Sequence, residues 1–117
     1  MTVGWDALRD ELRRWGDAGL CATFWWRDDD AQDHTPALDR LLRLASALEV
    51  VPALAVIPAG ATPALAETLK AAAHVDVLQH GYAHRNHAPS AHKKAELGAH
   101  RPLTAVTQEL SLSLIHI

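Results

Sequence analysis

Residues 20–79 alternate short, almost continuous apolar runs with segments that read as proline-started helices, and this alternation narrows the possible folds most. A run that is apolar at every position does not suit a sheet with one wet face; it predicts a strand buried on both sides. The first run, residues 20–26, contains Thr23, Phe24, Trp25 and Trp26, residue types that fit a pleated surface. The second, residues 51–57, has Pro52 near its start, where a missing donor does least harm. The third, residues 75–79, is short.

Between these runs, Thr35-Pro36 and Thr62-Pro63 each offer an N-cap hydroxyl followed by proline at the first helical position. Leu38, Leu41, Leu42, Ala45 and Leu48 form the apolar stripe of the first predicted helix, and residues 64–73 form the second. Strand, helix, strand, helix, strand is the pattern of an α/β fold with a parallel sheet and right-handed crossovers.

The flanks add elements without dividing the chain. Trp5, Leu8, Leu12 and Trp15 recur at helical spacing among charged residues, predicting an amphipathic helix packed by one face against the rest of the domain. Residues 88–102 read as a polar loop with a helical turn over 92–97, and a further helix begins within 104–110. With 117 residues there is room for one modest core.

A net charge of −3 and no basic face argue against nucleic acid as a partner. The single cysteine, Cys21, excludes an internal disulfide; at the start of an apolar run it predicts core packing. The stretch Met1-Thr2-Val3-Gly4-Trp5-Asp6 lacks the basic start and uninterrupted apolar core of a leader, and no apolar run reaches the length of a spanning helix. The expectation is a cytoplasmic chain that does not engage a membrane.

Two of the apolar runs end in chemistry. Residues 20–26 lead into Arg27-Asp28-Asp29-Asp30-Ala31, and residues 75–79 lead into His80-Gly81-Tyr82-Ala83-His84. The C-terminal ends of parallel strands are where α/β folds assemble their sites. Adjacent carboxylates repel unless a cation compensates. Imidazole nitrogen and carboxylate oxygen together suit a divalent ion such as zinc. His80 and His84 can converge on one ion if Gly81 eases the turn between them, and one aspartate would complete three protein ligands. A second aspartate could take a proton from water. His87 could lie near the ion, although exposure suits a polar loop; His34, His74, His92 and His100 have no assigned partner.

These residues resemble the polysaccharide deacetylases of the NodB-like type. That family's first motif is a strand ending in Thr-Phe-Asp-Asp-Gly, with the first Asp as catalytic base and the second as metal ligand. Its second is His-(Ser/Thr)-x-x-His, in which both histidines bind the metal. Here residues 80–84 match the second, with Gly81 in place of the hydroxyl residue. The preferred register of the first takes Ala31 as the small residue, Asp29 as base and Asp30 as ligand; the alternative pairs Asp28 with Asp29. Arg27 is foreign to the motif and could orient the acidic cluster or bind an acidic substrate group. Other divalent metals accept a similar donor set.

The resemblance covers about residues 20–87. It implies the N-terminal part of a distorted (β/α)7 barrel with parallel strands, and hydrolysis of an acyl group from amide nitrogen on an amino sugar, polysaccharide or small N-acylated substrate. A complete barrel runs to about 200 residues or more. Three visible strands therefore predict a truncated domain over residues 1–111, with later motifs for a substrate arginine and a histidine acid missing. Residues 112–117, Leu-Ser-Leu-Ile-His-Ile, resemble the translation of a sequencing-library adapter and are expected to be a non-native tail. Leu114-Ile115-His116 imitates the family's late Leu-x-His motif, and Arg101-Pro102 the start of its arginine motif, but both come too soon after His84.

The leading expectation is thus part of a metal-dependent deacetylase that binds metal weakly, does not turn over and self-associates. The alternative is a non-catalytic α/β module whose polar strand ends bind a small ligand or a partner protein.

Overall fold

A computed structural model describes residues 4–116. Met1, Thr2, Val3 and Ile117, and the expectations that rest on them, lie outside the described residues. The element order is α1 (Asp6–Asp17), β1 (Arg27–Ala31), α2 (Pro36–Ala47), β2 (Ala53–Val56), a 3-10 turn (Pro58–Gly60), α3 (Pro63–Ala71), β3 (Asp76–Gln79) and α4 (Leu103–His116). The strands form one parallel sheet, as the alternating pattern predicts, and lie in the order β1-β2-β3.

Both threonine caps form. Thr35 Oγ1 accepts from the Leu38 amide at 3.1 Å and Thr62 Oγ1 from Leu65 at 3.2 Å, each followed by proline inside the first turn. Such a cap satisfies an amide that the helix itself leaves without a partner, and is worth about 1 kcal/mol. Leu38 of α2 and Leu65 of α3 meet Leu54 and Val56 of β2 in a buried cluster, flanked by Ala31, Leu42, Ala61, Leu69 and Val75. All four residues of β2 are buried, as expected of the central strand. Leu48, at the end of the predicted α2 stripe, is exposed instead and caps the helix.

The first strand departs from expectation. Residues 20–26 lie outside the sheet and β1 begins at Arg27, so the aspartates sit within the strand rather than after it. Phe24 and Trp25 are 71% and 67% exposed, and Cys21 is exposed rather than packed in a core. The cause lies in the neighbouring strand. On leaving α2, Val50 N donates to Ala45 O, Glu49 N donates to Ser46 O, and Glu49 turns through a φ of 53°. That exit turn consumes residues that would have extended β2 backwards, and Val51 is exposed. The ladder therefore starts with Ala53 N donating to Trp26 O.

Pro52 trims β3 in a related way. Its carbonyl accepts from Asp76 N, but it has no N–H with which to carry the ladder further back, and β3 begins at Asp76 rather than Val75.

α1 forms where its spacing predicts, yet none of its residues is buried; Trp5 and Trp15 remain 62% and 41% exposed. The expected packing of its apolar face is absent among the described residues. Its polar side carries the short-range pairs Arg9 with Asp6, Arg13 with Asp10 and Arg14 with Glu11.

Residues 88–102 form a loop, without the helical turn expected over 92–97. Asn86 Oδ1 accepts from the amides of both Ala88 and Ala95, and this side-chain bridge replaces helical bonding there. α4 continues through residues 112–116. Ser113 is fully buried, and its hydroxyl and Leu110 O both accept from the Gln79 side-chain amide at the end of β3. No described helix is long and apolar enough to cross a membrane.

Candidate metal centre

Strand register brings the acidic and imidazole groups together. Arg27 and Asp28 pair with Ala53 and Leu54, but Ala31 pairs with Val56, so β1 carries one extra residue between those points. This bulge falls on Asp29 and Asp30, and Asp30 takes a left-handed φ of 69°. A bulge re-aims the side chains around it, which is why such irregularities recur beside sites.

Across β2, His80 directly follows β3, with its amide donating to Val56 O at 2.9 Å. The outer strands of a three-stranded sheet are about 10 Å apart, so only side chains can bridge the gap. They do so over the C-terminal end of β2.

His80 Nε2 lies 3.0 Å from Asp30 Oδ1, and His84 Nε2 lies 3.5 Å from the same oxygen. The two imidazoles stack with centroids 5.0 Å apart. One ligand atom from each of Asp30, His80 and His84 falls within 4.8 Å of the others. In a tetrahedral zinc site with bonds of about 2.0–2.1 Å, neighbouring ligand atoms stand about 3.3 Å apart. The two separations from Asp30 lie on either side of that value, and two imidazoles with a carboxylate are donors that suit such an ion.

Asp29 pairs with Arg27 rather than with a member of this trio. Arg27 Nε donates to Asp29 Oδ1, and Arg27 Nη2 lies 3.4 Å from His80 Nδ1. The Arg27 hydrogen bond holds the Asp29 carboxyl below the usual carboxylate range, aided by the charges of Arg27, His80 and His84 and opposed by partial desolvation. Arg27 itself lies over Trp25, 5.5 Å from the ring centroid, which restricts where its guanidinium can go.

Asp28 occupies a regular, half-buried strand position opposite Leu54. The three aspartates share one wall of a cavity of about 340 Å³ whose other side includes Thr35, Leu38 and Leu41. A larger cavity of about 560 Å³ opens between α2 and α3 near Val50 and His74, and none of Asp28, Asp29 and Asp30 lines it.

His87 does not join the cluster. It is exposed, its amide donates to Ala95 O, and its charge acts on Glu109. His34 pairs with Asp39 at 2.8 Å near the start of α2, outside the site.

Two residues support the histidine loop in ways that the motifs do not indicate: Glu96 belongs to none, and Arg101 resembles an arginine motif only in passing. Glu96 accepts hydrogen bonds from the amides of Tyr82 and Ala83, between the two histidines. Arg101 donates to Glu96 O at 3.1 Å and holds Glu109 through paired bonds of 2.9 and 2.8 Å. Its guanidinium thus secures the loop. The available signal was Gly81, whose lack of a side chain leaves space beside the loop.

Compared with protein-family models, with curated proteins and with solved structures, the chain has no match.

Proposed function

We propose that this chain carries the metal-binding part of a hydrolase that removes an acetyl or related acyl group from amide nitrogen, on an amino sugar, a polysaccharide or a small N-acylated substrate. In this reading the three-stranded sheet is the beginning of a distorted (β/α)7 barrel. The observation that carries it is the convergence of Asp30, His80 and His84 on one point at ligand spacing, with a second carboxylate, Asp29, adjacent in the chain.

Asp30, His80 and His84 would hold the ion, zinc being the default for two imidazoles and a carboxylate. Bound there, a divalent ion supplies Lewis acidity toward a carbonyl and lowers the pKa of water.

Asp29 is the base in this reading: its carboxylate receives the proton that water gives up as it attacks the acyl carbon, although the Arg27 bond that keeps it ionised also lowers its basicity. Arg27 fixes the orientation of that carboxylate. The adjoining cavity of about 340 Å³ is large enough to receive a sugar-sized group. Among the described residues no further histidine joins the cluster to protonate the leaving amine, so the chain by itself should bind metal without turnover.

The test is zinc titration of the chain, followed by calorimetry and thermal melting, beside a variant with His80→Ala and His84→Ala. We expect zinc to raise the melting temperature of the parent chain and to leave the double variant unaffected. Equal zinc binding by both would overturn the assignment. Failure of the parent chain to bind any of zinc, cobalt, nickel, iron or manganese would favour a non-catalytic binding module.

A further inference from the structure

The loop that carries the two histidines is built around a carboxylate from a distant part of the chain. We propose that Glu96 is a positioning residue for residues 80–84, and that Gly81 is glycine because the Glu96 carboxylate occupies the space where a side chain would stand. The loop geometry stands independently; its consequence for metal binding rests on the deacetylase reading above.

Three observations converge. First, Ala83 N donates to Glu96 Oε1 at 2.7 Å, and Tyr82 N lies 3.3 Å from both oxygens. Successive backbone amides turned toward one point form a concavity that binds an anionic oxygen. Charge-assisted bonds of this kind are stronger than neutral ones.

Second, a Cβ added at Gly81 would lie 2.0 Å from Glu96 Oε2 and 3.0 Å from its carboxyl carbon. Gly81 also has a φ of 60°, which side chains disfavour. A side chain at this position would require Glu96 Oε2 to move.

Third, Glu96 is itself held in place. Arg101 donates to its carbonyl, and the Arg101 side chain is only 10% exposed and clamped by Glu109 of α4. Fixation therefore runs from α4 through Arg101 and Glu96 to the backbone between His80 and His84. With the loop so held, His84 Nε2 stays 3.5 Å from Asp30 Oδ1. Groups that orient metal ligands in this way typically affect affinity about 10–100-fold.

The experiment has two arms, both on the full chain. In the first, without metal, amide hydrogen exchange at Tyr82 and Ala83 is compared for the parent, Glu96→Ala, Glu96→Gln and Gly81→Ala proteins, with circular dichroism to confirm the fold. Glu96→Ala should accelerate exchange at these two amides about tenfold or more while leaving β2 amides unchanged. Glu96→Gln, which keeps an acceptor oxygen, should restore most of the protection. Gly81→Ala should expose the same two amides and add little when combined with Glu96→Ala.

Unchanged exchange in Glu96→Ala would overturn the proposal, as would a Glu96→Gln protein as exposed as Glu96→Ala, or additive effects of Gly81→Ala. Should Glu96→Ala fail to fold, the Glu96→Gln and Gly81→Ala measurements decide.

In the second arm, zinc affinity should fall about 10–100-fold in Glu96→Ala and recover in Glu96→Gln. A parent chain that binds no zinc would refute the metal reading and leave the loop assignment to be settled by the exchange arm.

Discussion

Asp30 and His84 both hold left-handed backbone conformations, with φ of 69° and 54°, and their side chains meet with His84 Nε2 3.5 Å from Asp30 Oδ1. Non-glycine residues uncommonly occupy this region, and each instance costs of order 1–3 kcal/mol that the surroundings must offset. Here the enforcing structures are different: a one-residue bulge in β1 for Asp30, and the loop closed by Glu96 for His84. Strain at two facing residues, imposed from separate parts of the chain, is the pattern expected where side-chain placement outweighs local backbone preference.

The backbone at Asp30 therefore separates two substitutions that remove the same carboxylate. Asp30→Ala leaves a Cβ in the left-handed region, whereas Asp30→Gly does not. After allowance for the greater entropy of glycine in the unfolded chain, Asp30→Gly should be the more stable by about 1 kcal/mol in urea denaturation. Both variants should lose any rise in melting temperature on adding zinc. Equal stability would show that the bulge imposes no strain at this position.

How far the chain could be read in advance depends on whether the deciding interaction is local. The caps at Thr35 and Thr62 are local, and both helices start where the Thr-Pro pairs place them. β2 is legible because burial on both faces demands a continuous apolar run. The same rule misleads at residues 20–26, since an apolar run becomes a strand only where a partner strand is free, and the exit turn of α2 removes that partner. The pairing of Asp30 with His80 and His84 could be anticipated from strand ends, but the bulge that selects Asp30 depends on register. Glu96 could not be found this way: it is twelve residues beyond His84, in a segment without periodicity, and its role depends on a loop closure set by Asn86 and Arg101.

Acid should weaken the fixation of that loop through Glu109. The hydrogen bonds from Arg101 hold the Glu109 carboxyl below its ordinary value of 4.5; the charges of Arg101, His87 and Arg85 act in the same direction, and partial desolvation opposes them. A carboxyl with a depressed pKa in the folded state binds fewer protons there than in the unfolded chain. Its contribution to stability is complete above the ordinary value and is lost as pH falls through the lower, folded value. Glu109→Gln should accordingly melt below the parent protein at neutral pH, and the gap should shrink as the medium is acidified past 4.5. A gap that stays constant from neutral to strongly acidic pH would show that the pair contributes nothing through charge.

Self-association should arise from the apolar surface of α1 and residues 20–26 more than from the sheet edges. The β1 edge carries Arg27, Asp28, Asp29 and Asp30, and charge on an edge strand opposes pairing with another chain. At β3, the Gln79 side chain is engaged by Leu110 and Ser113 of α4. By contrast Trp5, Leu8, Leu12, Trp15, Phe24 and Trp25 are all exposed. Large apolar side chains exposed in this number favour association. Sedimentation velocity across the micromolar range should show species larger than the monomer. Exchanging Trp5, Trp15, Phe24 and Trp25 for glutamine should shift the distribution to monomer without loss of helical circular dichroism, because none of the four is buried. If the parent chain sediments as a monomer throughout, these side chains are not adhesive in solution. If the quadruple variant associates as strongly as the parent, the contact lies at the sheet edges instead.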